Sequence, residues 1–153
     1  MSVAEIVAMQ TTDGKKIILA VDDMPSNLIA IKNVLESMFD VRLVKEAEQA
    51  LALLKWEKVN LILLDIEMPK YNGFELLQLI RKEPALAHIP VIFVTTHASP
   101  SFIRRAAEAG AAGYVLKPFK PSVLLQKVLE QLNMDTPTAY QNNVYNLWSN
   151  EKS

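Results

Sequence analysis

The chain has no cysteine, which removes a disulfide framework, a thiolate metal site and a cysteine nucleophile, and suits a reducing, cytoplasmic compartment. Neither charge sign dominates. Lysine and arginine number 16 against 17 acidic residues, so no basic field draws in nucleic acid regardless of sequence. Long apolar runs are also missing. The longest are no more than six residues, where a bilayer-crossing helix takes about 20. The short apolar stretch at residues 4–9 includes Glu5, whereas an export signal carries positive charge and a longer run. Nucleic acid and membrane are therefore not expected as partners. What is present is a 153-residue chain, half of it hydrophobic, enough for one domain with its own core.

Five short apolar runs, residues 17–21, 41–44, 61–64, 91–94 and 114–116, read as strands. Four are nearly continuous, as strands covered on both faces are. The second carries Arg42 and suits a sheet edge. Helical spacing lies between them: Leu28, Ile31 and Leu35; Ala47, Ala50, Leu51 and Leu54; Phe74, Leu77 and Ile80; Leu125, Val128 and Leu132. Residues 102–109 have the least regular periodicity. Pro25 suits a first helical turn, Asn72-Gly73 opens another helix, and Gly110 and Gly113 bracket a helix-to-strand return. Strict alternation with short connections predicts an α/β fold, a five-stranded parallel sheet doubly wound by right-handed crossovers with helices on both faces. The expected organisation is an N-terminal arm at 1–15, a domain at 16–133 and a polar tail at 134–153. In the tail Tyr140, Tyr145 and Trp148 are spaced as one helical face, which suits either a loosely docked terminus or a partner-binding or dimerising helix.

Chemistry is expected where strands end, because open α/β sheets bind ligands beyond their carboxyl ends. The first strand ends in Asp22-Asp23, the third in Asp65, the fourth in Thr95 and the fifth in Lys117-Pro118. Neighbouring strands lie about 4.8 Å apart, so these residues can share one pocket. Carboxylates about 4 Å apart repel by about 4 kcal/mol near a protein surface, and a hard cation such as Mg²⁺, bound by carboxylates, waters and phosphate oxygens, answers that repulsion. Asp65 is the candidate nucleophile, since a carboxylate needs no general base to attack phosphorus. The Lys117 ammonium and the Thr95 hydroxyl then offset the charge of the incoming phosphoryl group.

The stretches Ile17-Ile18-Leu19-Ala20-Val21-Asp22-Asp23, Leu63-Leu64-Asp65-Ile66-Glu67-Met68-Pro69 with Gly73 following, Val94-Thr95, and Gly113-Tyr114-Val115-Leu116-Lys117-Pro118-Phe119 together resemble the receiver domain of two-component response regulators, of the CheY-like kind. The resemblance implies strand order 2-1-3-4-5 and phosphorylation of Asp65 by a sensor histidine kinase or histidine phosphotransfer protein. It implies Mg²⁺ held by Asp23, Asp65 and the Glu67 carbonyl, with Asp22 acting through water and Lys117 and Thr95 gripping the phosphoryl oxygens. Tyr114 would be the switch aromatic, turning inward as the threonine hydroxyl moves toward phosphate and remodelling a face that binds a downstream protein or a second copy. The side chains of Glu67 and His97 stand where phosphate lifetime is tuned, although His97 equally suits an exposed loop, as His88 does. Thr96 replaces a common alanine, which narrows access to the phosphoryl group, and Ala47 replaces a common glycine. Arg81-Lys82 and Arg104-Arg105 read as solvated pairs.

Other classes fit less well. An aspartyl phosphatase usually has a second aspartate two residues past its nucleophile on the first strand, and a cap insertion. A flavodoxin-like first loop would cradle phosphate, which Asp22-Asp23-Met24-Pro25 would repel. A receiver that no longer takes phosphate is a third reading. No output segment is expected after Asn133, so a stand-alone regulator or phosphorelay shuttle is set beside a receiver taken from a hybrid kinase or a cyclic-dinucleotide enzyme.

Overall fold

The computed structural model describes residues 14–136. The tail aromatics Tyr140, Tyr145 and Trp148, and nearly all of the N-terminal arm, lie outside that range. Among the described residues strands and helices alternate without exception: β1 (Ile17–Val21), α1 (Pro25–Leu35), β2 (Asp40–Val44), α2 (Ala47–Leu54), β3 (Leu61–Leu64), α3 (Gly73–Lys82), β4 (Val91–Thr95), α4 (Pro100–Glu108), β5 (Gly113–Leu116) and α5 (Pro121–Gln131). The strands form one parallel sheet in the order β2-β1-β3-β4-β5.

Two-residue periodicity divides the core between the faces of this sheet. Leu19, Val21, Ile62, Leu64 and Phe93 pack with Ala50 and Leu54 of α2, Leu77 and Ile80 of α3, and Ala106 of α4. The alternate residues Ile18, Ala20, Leu61, Leu63, Ile92 and Val94 pack with Leu28 and Ile31 of α1 and Leu124 and Val128 of α5. Successive strand residues point to opposite faces, so a near-continuous apolar strand is what two covered faces require. β1, β3 and β4 are buried almost throughout. β5 is not: as an outer strand it is only partly covered, and Leu116 is exposed, a departure from its apolar sequence.

Local signals set the helix starts. Proline occupies the first turn of α1, α4 and α5, where its missing N–H is no loss. Asn72 and Glu75 form a reciprocal capping box on α3, each side chain accepting the other's backbone N–H at 2.9 and 3.1 Å, an arrangement worth about 1 kcal/mol. Ser99 caps α4 by accepting from Phe102 N–H, so that helix begins two residues before the predicted stretch. Gly110 follows α4 with φ +94°, a conformation that favours glycine.

One basic pair departs from expectation. Arg81 is not simply solvated: its Nε and Nη2 donate to the Gly110 carbonyl at 3.2 and 2.9 Å, and Nη1 donates to the Ile89 carbonyl at 2.8 Å. Partial burial lowers its pKa from the usual arginine value. Arg105 lies over the Phe74 ring, 4.0 Å from its centroid, while Lys82 and Arg104 are exposed as expected.

Candidate functional site

Strand register builds the site. Val21 is paired with Leu64, and Leu64 with Phe93, so Asp22 and Asp65 leave neighbouring strands side by side. Thr95 is paired with Leu116, which sets Lys117 next to the same rim. Carboxylate oxygens of Asp22, Asp23 and Asp65 all lie within 4.8 Å of one another. Widely separated acids thus converge as their strand-end positions require.

Asp22 is buried and held from two sides. Its Oδ1 accepts from Met24 N–H at 2.9 Å and Asn27 Nδ2 at 3.4 Å, and its Oδ2 accepts from Lys117 Nζ at 2.6 Å. Lys117 Nζ also stands 3.4 Å from Asp65 Oδ2. The cation that offsets the crowded carboxylates is therefore supplied in part by the chain itself. Asp23 is exposed beside them. The Glu67 side chain meets His97, Oε1 to Nε2 at 2.6 Å, while the Glu67 backbone hydrogen-bonds the Asp65 carboxylate. Thr95 is fully buried, and its hydroxyl accepts a long bond, 3.4 Å, from His97 N–H. Tyr114 is half-buried near Phe93, and its hydroxyl donates to the His97 carbonyl. His97 is thus neither a plain loop residue nor fully exposed, whereas His88 is exposed.

Burial raises the Asp65 pKa above the usual carboxylate value, with Lys117 opposing and Asp22 adding to the shift. A carboxyl whose native pKa is raised costs stability when ionised. That cost is full above the native pKa and disappears as pH falls below the unfolded value. In metal-free protein Asp65→Asn is therefore expected to melt higher than wild type at pH 7, with the gap closing in the acid range. Thermal melts with chelator at both pH values check this, and an Asp65→Asn melting point at or below wild type at pH 7 would contradict it. Burial, followed by the Asp65 charge, also raises the Tyr114 pKa, so the phenol stays protonated and can donate at neutral pH.

Of the residues singled out from the sequence, the structure brings Asp22, Asp23, Asp65 and Lys117 together at one rim and sets Thr95 and Tyr114 against the His97 backbone. The sequence reading missed the purpose of Gly73, whose N–H donates to the Ile66 carbonyl at 2.7 Å. A Cβ built there would lie 2.3 Å from the Asp65 carbonyl oxygen and 2.9 Å from Ile66 Cα. It also missed Phe102, whose ring stacks on His97 at 4.3 Å.

A parallel sheet in this order, with clustered acids and a lysine at its carboxyl rim, defines the class as a doubly wound α/β protein whose rim carboxylates could hold a divalent cation. The family described as the response regulator receiver domain matches residues 18–129, and the chain belongs to that family, of the CheY-like kind used in two-component signalling. The chemotaxis protein CheY of Pseudomonas aeruginosa is 35% identical over 121 residues, covering 76% of this chain and 98% of that protein. A Vibrio cholerae protein named "Probable cyclic di-GMP phosphodiesterase" is 35% identical over 111 residues, 72% of this chain but only 25% of its own length. Among solved structures, the chemotaxis protein CheY4 of Vibrio cholerae superposes with a TM-score of 0.73 at 28% identity, covering 77% of this chain and 99% of that one. Among the described residues no helix is long and apolar enough to cross a membrane.

Proposed function

We propose that this chain is a phosphoacceptor switch: Asp65 takes a phosphoryl group from the phosphohistidine of a sensor kinase or phosphotransfer protein, and the acyl phosphate changes which proteins the domain binds. The observation that carries this reading is the convergence of the Asp22, Asp23 and Asp65 carboxylates within 4.8 Å, beside Lys117 on the same rim. An Asp65 oxygen attacks phosphorus, the phosphorus–nitrogen bond breaks, and its electron pair returns to the donor imidazole. Family membership and all-oxygen donors favour Mg²⁺. Asp23, Asp65 and the Glu67 carbonyl would hold it, with Asp22 acting through water because Lys117, Met24 and Asn27 already engage its oxygens. The ion would supply charge neutralisation at the transferring group.

The chain's own residues perform the rest. Lys117 turns from the carboxylates to the phosphoryl oxygens, Thr95 reorients its hydroxyl toward them, and Tyr114 follows on the face formed by α4, β5 and α5. We take residues 16–133 as the receiver, acting in the cytoplasm, with self-association on phosphorylation as one output. It catalyses its own phosphotransfer and dephosphorylation and no other reaction. The Pseudomonas relative is almost entirely this domain and the Vibrio relative carries it in a quarter of its length, so a lone regulator and a receiver within a larger signalling protein both have precedent. After incubation with acetyl phosphate and Mg²⁺, the intact mass of wild type should rise by one phosphoryl group while that of Asp65→Asn stays unchanged. An unmodified wild type, or a modified Asp65→Asn, would refute the assignment.

A further inference from the structure

We propose that Glu67 and His97 form a tether that positions the Tyr114 ring, so that the Glu67 side chain is a positioning residue for the switch; the inference rests on the reading of Tyr114 as the switch aromatic.

The tether is built from contacts of different kinds meeting at one residue. The His97 ring joins the Glu67 carboxylate at 2.6 Å, which links the loop after β4 to the loop after β3. A face of that ring is stacked on Phe102 in the first turn of α4, with centroids 4.3 Å apart and planes 23° apart. Phe102 in turn stacks on Phe74 at 6.4 Å, and Arg105 covers Phe74. With its side chain held, the His97 backbone presents its carbonyl to the Tyr114 hydroxyl. The long 3.4 Å bond from His97 N–H to Thr95 is too weak to hold the loop by itself, so the side-chain contacts fix where that carbonyl stands.

Tyr114 depends on that acceptor. A part-buried hydroxyl that loses its partner pays a desolvation penalty that a solvent-facing rotamer avoids. Cutting Glu67 from His97 loosens the loop, moves the carbonyl and releases the ring. All the atoms in this chain of contacts belong to the protein, so the effect is measurable with no phosphoryl donor present. The Glu67 side chain thereby acts on the output face, a role separate from any effect it has on phosphate lifetime.

Protein labelled with 3-fluorotyrosine, studied in chelator and assigned with Tyr114→Phe, reports the ring by fluorine NMR. In Glu67→Ala and in His97→Ala the Tyr114 resonance should move toward the solvent-exposed position, with a larger shift between H₂O and D₂O. Glu67→Gln keeps an acceptor for the imidazole N–H and should stay near wild type. The proposal is overturned if Glu67→Ala leaves the Tyr114 resonance in place, whatever His97→Ala does, or if Glu67→Gln moves it as far as alanine. Glu67 is exposed, so its variants test the tether without endangering the core. Since no phosphoryl donor is used, an unmoved resonance would leave the role of Asp65 intact, just as an absent mass adduct would leave the tether intact.

Discussion

Replacing Lys117 with alanine should lower the metal-free melting temperature by on the order of 10 °C and leave magnesium affinity equal to or tighter than that of wild type. Lys117 is only 11% exposed and Asp22 2% exposed where they meet at 2.6 Å. Removing one member of such a buried pair typically costs about 3 kcal/mol or more, because its partner is left as a buried, uncompensated charge. Here the orphaned group sits among carboxylates, which makes the loss worse. A divalent cation reverses it, since a ligand at about 100 times its Kd stabilises the folded state by about 2.7 kcal/mol, and in the variant no ammonium competes for the Asp22 oxygen. Thermal melts across a magnesium titration give both quantities. Lost magnesium affinity in the variant would show that Lys117 organises the acid cluster instead of balancing its charge.

The second large effect belongs to a residue with no side chain. Gly73→Ala should destabilise the fold by about 2 kcal/mol and slow phosphoryl uptake from acetyl phosphate by about a hundredfold. The added Cβ would press at 2.3 Å on the carbonyl oxygen of Asp65 itself, and at 2.9 Å on both Ile66 Cα and Phe93 Cε1. Two of those atoms are backbone and cannot rotate aside, so the loop carrying Asp65 has to shift. A misplacement of about 1 Å in a reacting group is enough for a rate loss of that size. Gly113→Ala is the control, because its Cβ would meet only the Ile92 side chain, at 3.4 Å. Equal uptake rates in Gly73→Ala and wild type, measured by time-resolved intact mass, would remove Gly73 from any role in placing Asp65.

These two positions mark the limit of what the sequence could reveal. Alternating apolar runs made the strands and their two-sided cover legible, and acids at strand ends were legible as one site because parallel strands share a rim. The reason for Gly73 was not, since it depends on the approach of α3 to the end of β3, and only its helix-opening signal is local. The Lys117 to Asp22 contact joins residues 95 apart in the chain, so nothing local announces that this lysine already occupies the acids. Arg81 looked like any arginine near a helix end because its partners are carbonyl oxygens, which every residue possesses. The cover of β5 was overestimated from its apolar letters, because being outermost in the sheet is a property of topology.

The Arg81 contacts bear on how such a domain can move. By joining the turn after α4 to the segment that leads into β4, the guanidinium pins the far end of a nine-residue helix, about 13 Å long at 1.5 Å per residue. A rod held at one tip by hydrogen bonds has its other tip as the place where its orientation is set, and that tip carries Phe102, stacked on His97. The ring contact at one tip and the guanidinium at the other together fix how this helix lies against the sheet.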